Sequence, residues 1–179
     1  MSAINRREFF QRLSPKGFSH KAVAETLIRP PYCGDHRLFT ELCPKCPDRP
    51  CQSACGESII AFHKDNTPFL NLVGSGCTFC RDCLTACERD VLTRPDLNRL
   101  NATAQIAIET CLAWNQVVCD GCRDVCDSNA ISYKALWSPE INSELCAGCG
   151  HCLRGCPVSA IQLNTFVAEK TQDPTGVKQ

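Results

Sequence analysis

The chain has 179 residues, 19 of them basic and 19 acidic, so its formal charge of zero points neither to nucleic acid nor to an anionic membrane. Its 44% apolar content includes 17 cysteines; without them the fraction falls to roughly 35%, below that of ordinary globular domains. A core that thin needs crosslinks from disulphides or metal, and no stretch approaches the roughly 20 apolar residues of a membrane span.

At the start, Asn5-Arg6-Arg7-Glu8-Phe9-Phe10 resembles a twin-arginine box. The residues after it, Gln11 to Gly17, supply neither an apolar h-region nor a small-residue cleavage site. The expectation is a retained cytoplasmic protein whose arm, 1–32, is polar and poorly ordered. Cys33 then stands alone and reads as a spare thiol.

The other sixteen cysteines fall into four clumps. The second (Cys77, Cys80, Cys83, Cys87) and fourth (Cys146, Cys149, Cys152, Cys156) have the Cys-x2-Cys-x2-Cys-x3-Cys spacing of bacterial [4Fe–4S] ligation. Three thiolates on one short loop curl around a cubane, and the fourth leads away toward a neighbouring one. The first clump (Cys43, Cys46, Cys51, Cys55) has two extra residues between its second and third cysteines, with Pro47 and Pro50 shaping a bulge. The third is stretched, with Cys111 seven residues before Cys119, Cys122 and Cys126. Three clusters are expected from the first, second and fourth clumps and a fourth from the third, for which zinc or an empty site stays open. Disulphides are disfavoured by the odd count and by the tight runs, whose residues converge on one core better than they pair. Zinc knuckles would have longer loops and more histidine; only His151 lies inside a clump. Four clusters would bring the loaded protein to roughly −8, offset in part by Lys45, Arg81, Arg123 and Arg154 beside the ligands.

The segments after the clumps repeat. An aliphatic residue lies five positions beyond each last cysteine (Ile60, Leu92, Ile131, Ile161), one short turn on, and is expected to pack against a cluster. Between the first two clumps, 59–62 and 68–72 flank the turn-rich Lys64-Asp65-Asn66-Thr67 and read as a β-hairpin. Between the last two, 130–133 and 139–142 flank a longer connection in the same way. The joining segment alternates at Gln105–Glu109 like an added strand. The fold class is therefore α+β: tandem two-[4Fe–4S] ferredoxin-like modules over 43–97 and 111–166, with short hairpins and short helices. The ferredoxin-type units are 33–66, 67–97 and 137–166, with 98–136 a linker carrying the degenerate clump and 167–179 a polar tail. In such modules the fourth cysteine of each run serves the other cluster. Carried over, Cys87 joins Cys43, Cys46 and Cys51, and Cys55 joins Cys77, Cys80 and Cys83. In the second module Cys156 joins Cys111, Cys119 and Cys122, and Cys126 joins Cys146, Cys149 and Cys152.

Several segments together resemble the NapF family, the ferredoxin-type proteins encoded with periplasmic nitrate reductases. They are Asn5-Arg6-Arg7, Ile28-Arg29-Pro30-Pro31, the stretched clump opening Cys111-Leu112-Ala113, and Leu145-Cys146-Ala147-Gly148-Cys149-Gly150 running into Cys156-Pro157-Val158-Ser159-Ala160-Ile161. The gap between Cys46 and Cys51 departs from the family pattern. The resemblance implies a cytoplasmic accessory protein that contacts the reductase's catalytic subunit before export and helps install or reduce its iron–sulphur centre. An electron-carrying relay is the competing expectation. An enzyme is not expected, since the chain has no dinucleotide fingerprint, phosphate loop or nucleophile constellation.

Overall fold

The computed structural model describes residues 27–135 and 137–166. The twin-arginine-like segment and the tail from 167 onward lie outside them. Every regular element is short. The helices are single turns: α1 (Leu38–Glu41), α2 (Pro50–Ser53), α3 (Asp82–Thr85), α4 (Gly121–Asp124) and α5 (His151–Gly155), with a 3-10 turn at Cys43–Lys45. None is long enough to persist by helix propensity. The strands are β1 (Ile60–Phe62), β2 (Pro68–Leu70), β3 (Ala102–Ile106), β4 (Ile131–Lys134), β5 (Ser138–Ile141) and β6 (Ile161–Thr165). They form three separate antiparallel pairs, β1–β2, β3–β6 and β4–β5, each marginal on its own in water.

Both expected hairpins form. β1 pairs with β2 in the register Ile60↔Leu70, Ala61↔Phe69 and Phe62↔Pro68. Their turn is held by Asp65, whose Oδ1 accepts bonds from the Thr67 N–H at 3.0 Å and the Thr67 hydroxyl at 2.7 Å. Asn66 supplies the left-handed residue at φ 59°. β4 pairs with β5 from Ile131↔Ile141 to Lys134↔Ser138, so each strand lies one residue nearer the connection than expected, and the connection is correspondingly shorter.

The added strand exists but sits three residues earlier, at Ala102–Ile106, paired with β6 from Ala102↔Thr165 to Ile106↔Ile161. The Ala107 carbonyl instead accepts the Thr110 and Cys111 N–H groups, turning the chain into the third clump. Ile108 is left outside, half exposed. The buried face of β3 carries alanines, Ala102 and Ala104. The fourth clump presses close to the backbone of this strand: a Cβ on Gly148 would lie 2.3 Å from the Ala102 carbonyl oxygen.

The arm expected over 1–32 is corrected at its end, because residues 28–32 are built into the protein. Tyr32 is 1% exposed, and the Leu70 N–H donates to the Ile28 carbonyl. The Arg29 guanidinium donates to Thr67 Oγ1 at 2.8 Å and to the Pro68 carbonyl at 2.6 Å, and lies over the Phe39 ring. Its backbone N–H donates to Oδ1 of the buried Asn101. The Arg-Pro-Pro segment is thus a strap binding the first hairpin to the segment between the clump pairs.

Two cores follow. One gathers Tyr32, Phe39, Ile59, Ile60, Leu70, Leu72, Val91, Leu92 and Leu100 around the first two clumps. The other is built from Ala104, Ala130, Ile131, Ile161 and three cysteines, Cys122, Cys146 and Cys152. A core with so little aliphatic area yields little burial energy, which makes whatever the thiols bind a structural part of that half.

Candidate metal centre

All 17 cysteines are described, and none is in a disulphide. Cys55, Cys77, Cys80 and Cys83 line one cavity, whose wall also carries Ile60. Cys126, Cys146, Cys149 and Cys152 line a second with Ile131. Cys111, Cys119, Cys122 and Cys156 line a third with Ile161. Each cavity thus takes three sulphurs from one clump and the fourth from its neighbour. Cys43 completes the set: burial first, and then the nearby Cys51, Cys87 and Cys46, push its thiol up to about 12. Ile60, Leu92, Ile131 and Ile161 are all buried.

Local backbone geometry explains the convergence. Three residues after each final cysteine the chain turns left-handed, at Ser58 (φ 54°), Asp90 (φ 54°), Asn129 (φ 48°) and Ser159 (φ 52°). These short polar residues tolerate that conformation better than bulky ones, and the turn drops the following aliphatic residue inward. In the two undisturbed clumps the loop also turns left-handed just before its second cysteine, at Phe79 and Gly148, and again one residue after it, at Arg81 and Gly150. The altered first clump keeps only Arg49 of these, and the stretched third keeps neither.

The third clump is held by other means. Asn115 Nδ2 donates to the Cys111 carbonyl at 2.8 Å and reaches the Glu109 carbonyl at 3.3 Å, closing the seven-residue loop. The Tyr133 hydroxyl donates to the Cys119 carbonyl at 2.7 Å and lies 3.7 Å from Cys122 Sγ, with Arg123 stacked over its ring. Tyr32 serves the second clump alike, donating to the Phe79 carbonyl at 2.8 Å. Neither phenol was foreseen from sequence; their place in the hairpin and strap gives no local signal. α4 and α5 cross where Gly121 and Gly155 face each other, a Cβ on either lying 2.6 Å or 2.5 Å from the other's carbonyl oxygen. That crossing sets Cys122 beside Cys156.

Donor chemistry fits an iron–sulphur core. Every quartet is all-thiol, and among the described residues no group of three or more His, Cys, Asp or Glu side chains is arranged to hold a single metal ion. In three of the quartets the four cysteines line a shared cavity, as a polynuclear core requires. The Ala130 N–H points at Cys126 Sγ at 3.4 Å and the Ala160 N–H at Cys156 Sγ at 3.1 Å, contacts that stabilise thiolate and raise cluster potentials. Burial disfavours the thiolates: Cys83 and Cys152 are pushed up to about 12, and Cys51 and Cys77 to about 11, from 9.0. Because a ligating thiol must ionise, loading these sites at pH 8 should release one proton per thiol in addition to the one that each incoming hydrosulphide gives up. Because these values are raised, occupancy against a fixed competing chelator should keep rising with pH past 9.0. A pH-stat during anaerobic reconstitution measures the release, and a release no larger than the sulphide's own protons would rule out these thiols as ligands.

Cys33 is buried and its Sγ–H donates to the Asp35 carbonyl at 3.1 Å. Burial pushes it up to about 11. It borders a cavity of about 240 Å³ beneath the Arg-Pro-Pro strap, a space lined by Arg29, Arg99 and Phe166 that contains no clump cysteine. Serine preserves the bond to Asp35, so Cys33→Ser should leave iron content unchanged; a fall in iron per chain would show that this thiol takes part in ligation.

The fold and thiol sites define a ferredoxin-type iron–sulphur protein with small helices and short antiparallel strands, and the LdpA Fe-S cluster-binding domain model matches residues 118–167. The ferredoxin-type protein NapF of Escherichia coli K12 is 34% identical over 138 residues, 75% of this chain and 82% of that protein. NapF of Haemophilus influenzae is 33% identical over 141 residues, 76% of this chain and 78% of its own length. The methylamine utilization ferredoxin-type protein MauM of Methylobacillus flagellatus is 28% identical over 172 residues, 84% and 73% of the two chains. The chain belongs to the NapF family of ferredoxin-type proteins. No helix among the described residues is long and apolar enough to cross a membrane.

Proposed function

We propose that the sixteen clump cysteines hold four [4Fe–4S] clusters by crossed ligation in two tandem modules, and that the protein serves the catalytic subunit of periplasmic nitrate reductase in the cytoplasm before export, helping to load or reduce that subunit's iron–sulphur centre. Membership of the NapF family carries this reading. The units within it are 33–66, 67–97 and 137–166, with 98–136 joining them and contributing the third clump. Bound clusters would supply one-electron chemistry. The chain's own residues would position them: Tyr32 and Tyr133 clasp the loops, Asn115 closes the long one, and the Gly121–Gly155 crossing aligns Cys122 with Cys156. Val117, Val118 and Val158 are exposed around the third clump, and an apolar rim of this kind supports a role that involves contact with another protein.

An electron relay is the second reading, favoured by the close approach of successive quartets: Cys83 feels Cys51, and Cys152 feels Cys122. The two readings separate on the iron and molybdenum content of the reductase purified from cells lacking this protein. Maturation predicts a subunit poor in iron. A relay predicts full metal content with slowed electron delivery, and normal loading would overturn the maturation role.

A further inference from the structure

The contacts that join the two halves fall at the second and fourth clumps. The Cys77 N–H donates to the Cys149 carbonyl at 2.8 Å, and the Leu100 N–H to the Ala147 carbonyl at 2.9 Å. Gly76 lies flat against the imidazole of His151: a Cβ there would be 2.0 Å from Cδ2. Gly150, at φ 89°, faces Leu72, where a Cβ would sit 3.1 Å from the side chain. Leu153 packs into both cores. The seam is closed at glycine on both sides, so backbone meets backbone directly beside ligand residues.

We infer that the halves meet through their inner quartets, Cys55/Cys77/Cys80/Cys83 and Cys126/Cys146/Cys149/Cys152, so that the four quartets form one row ending at Cys43/Cys46/Cys51/Cys87 and Cys111/Cys119/Cys122/Cys156. This rests on the reading of the quartets as cluster sites. Within each half the quartets are neighbours, since α2 carries Cys51 while α3 carries Cys83 and leads to Cys87, and the α4–α5 crossing carries both Cys122 and Cys152. The seam then supplies the middle link. The protein is one four-site unit with two ends, rather than two independent two-site units tethered by a linker. His151, the one histidine within a clump, owes its place to this seam: it fills the space that Gly76 leaves, between the inner quartets.

The test is electron paramagnetic resonance on the fully reduced, full-length protein, with iron and labile sulphide counted per chain. The row predicts that signals from the inner sites are broadened by magnetic interaction across the seam. Cys80→Ala, which removes a first-half ligand, should therefore sharpen the signal of the second half, while Cys46→Ala at the far end should do so only to the extent that the inner first-half site is lost with it. Gly76→Leu should wedge the seam through His151, keeping the iron while the broadening is lost. This variant also covers the case in which Cys80→Ala collapses both halves. A second-half signal unchanged by both Cys80→Ala and Gly76→Leu, with iron lost from the first half in the first variant alone, would overturn the row. A wild-type protein that stays colourless after reconstitution would instead overturn the cluster reading itself.

Discussion

Cys83→Ser is expected to remove more than a quarter of the iron and of the visible absorbance. Cys83 is 8% exposed. Its thiol is pushed up to about 12 by burial first, then by Cys77, Cys80, Cys51 and Cys55, in that order. It therefore stands with its own cavity and against the neighbouring quartet. Losing a cluster there unties Cys55, at the end of α2, from the loop that begins at Cys77. α2 carries Cys51 and α3 leads to Cys87, so the adjoining quartet loses the alignment of two of its four sulphurs. Single-turn helices cannot restore that alignment by themselves. Iron and acid-labile sulphide per chain measure the outcome. A loss confined to one quarter would count against crossed ligation.

The second large effect is expected at Gly155. A methyl group there would sit 2.5 Å from the Gly121 carbonyl oxygen and 2.8 Å from Val125 Cγ2. The first obstacle is backbone and cannot rotate away, so α4 and α5 must separate. Overpacking of this kind costs about 1–3 kcal/mol, and the second half has little core from which to absorb it. Gly155→Ala should lower the melting temperature and shed the iron bound through Cys122 and Cys156 before the rest. Gly56→Ala, where a Cβ meets nothing within 4 Å, should match the wild type. Equal iron content and melting temperature in both variants would mean that the crossing does not set the site.

Much of the metal centre could be read from spacing because a ligand loop is a local object. Cysteines three residues apart, a short polar residue three beyond the last, and an aliphatic residue two further on specify a turn that needs no distant partner. The first hairpin was legible for the same reason, Asp65 and Asn66 carrying their own turn chemistry. Where the local signal was ambiguous, long-range packing decided. The alternation at Gln105–Glu109 suggested a strand, yet the inward face belongs to Ala102 and Ala104, because pairing with β6 from Ala102 to Ile106 sets where the strand lies.

Taken alone, the sequence determined that sixteen thiols would stand in four groups, that an aliphatic side chain would follow each, and that the ordinary core would be too thin to suffice. Only the tertiary structure decided which sulphurs share a cavity, that Tyr32 and Tyr133 clasp the loops, that Arg29 reaches Asn101 across 72 residues, and that the halves close at Cys77 and Cys149. The physical reason is the range of the forces involved. Turn preferences act within a few residues and leave their mark in spacing, whereas pairing of backbone groups and close packing at glycine depend on segments that meet only once the chain has folded.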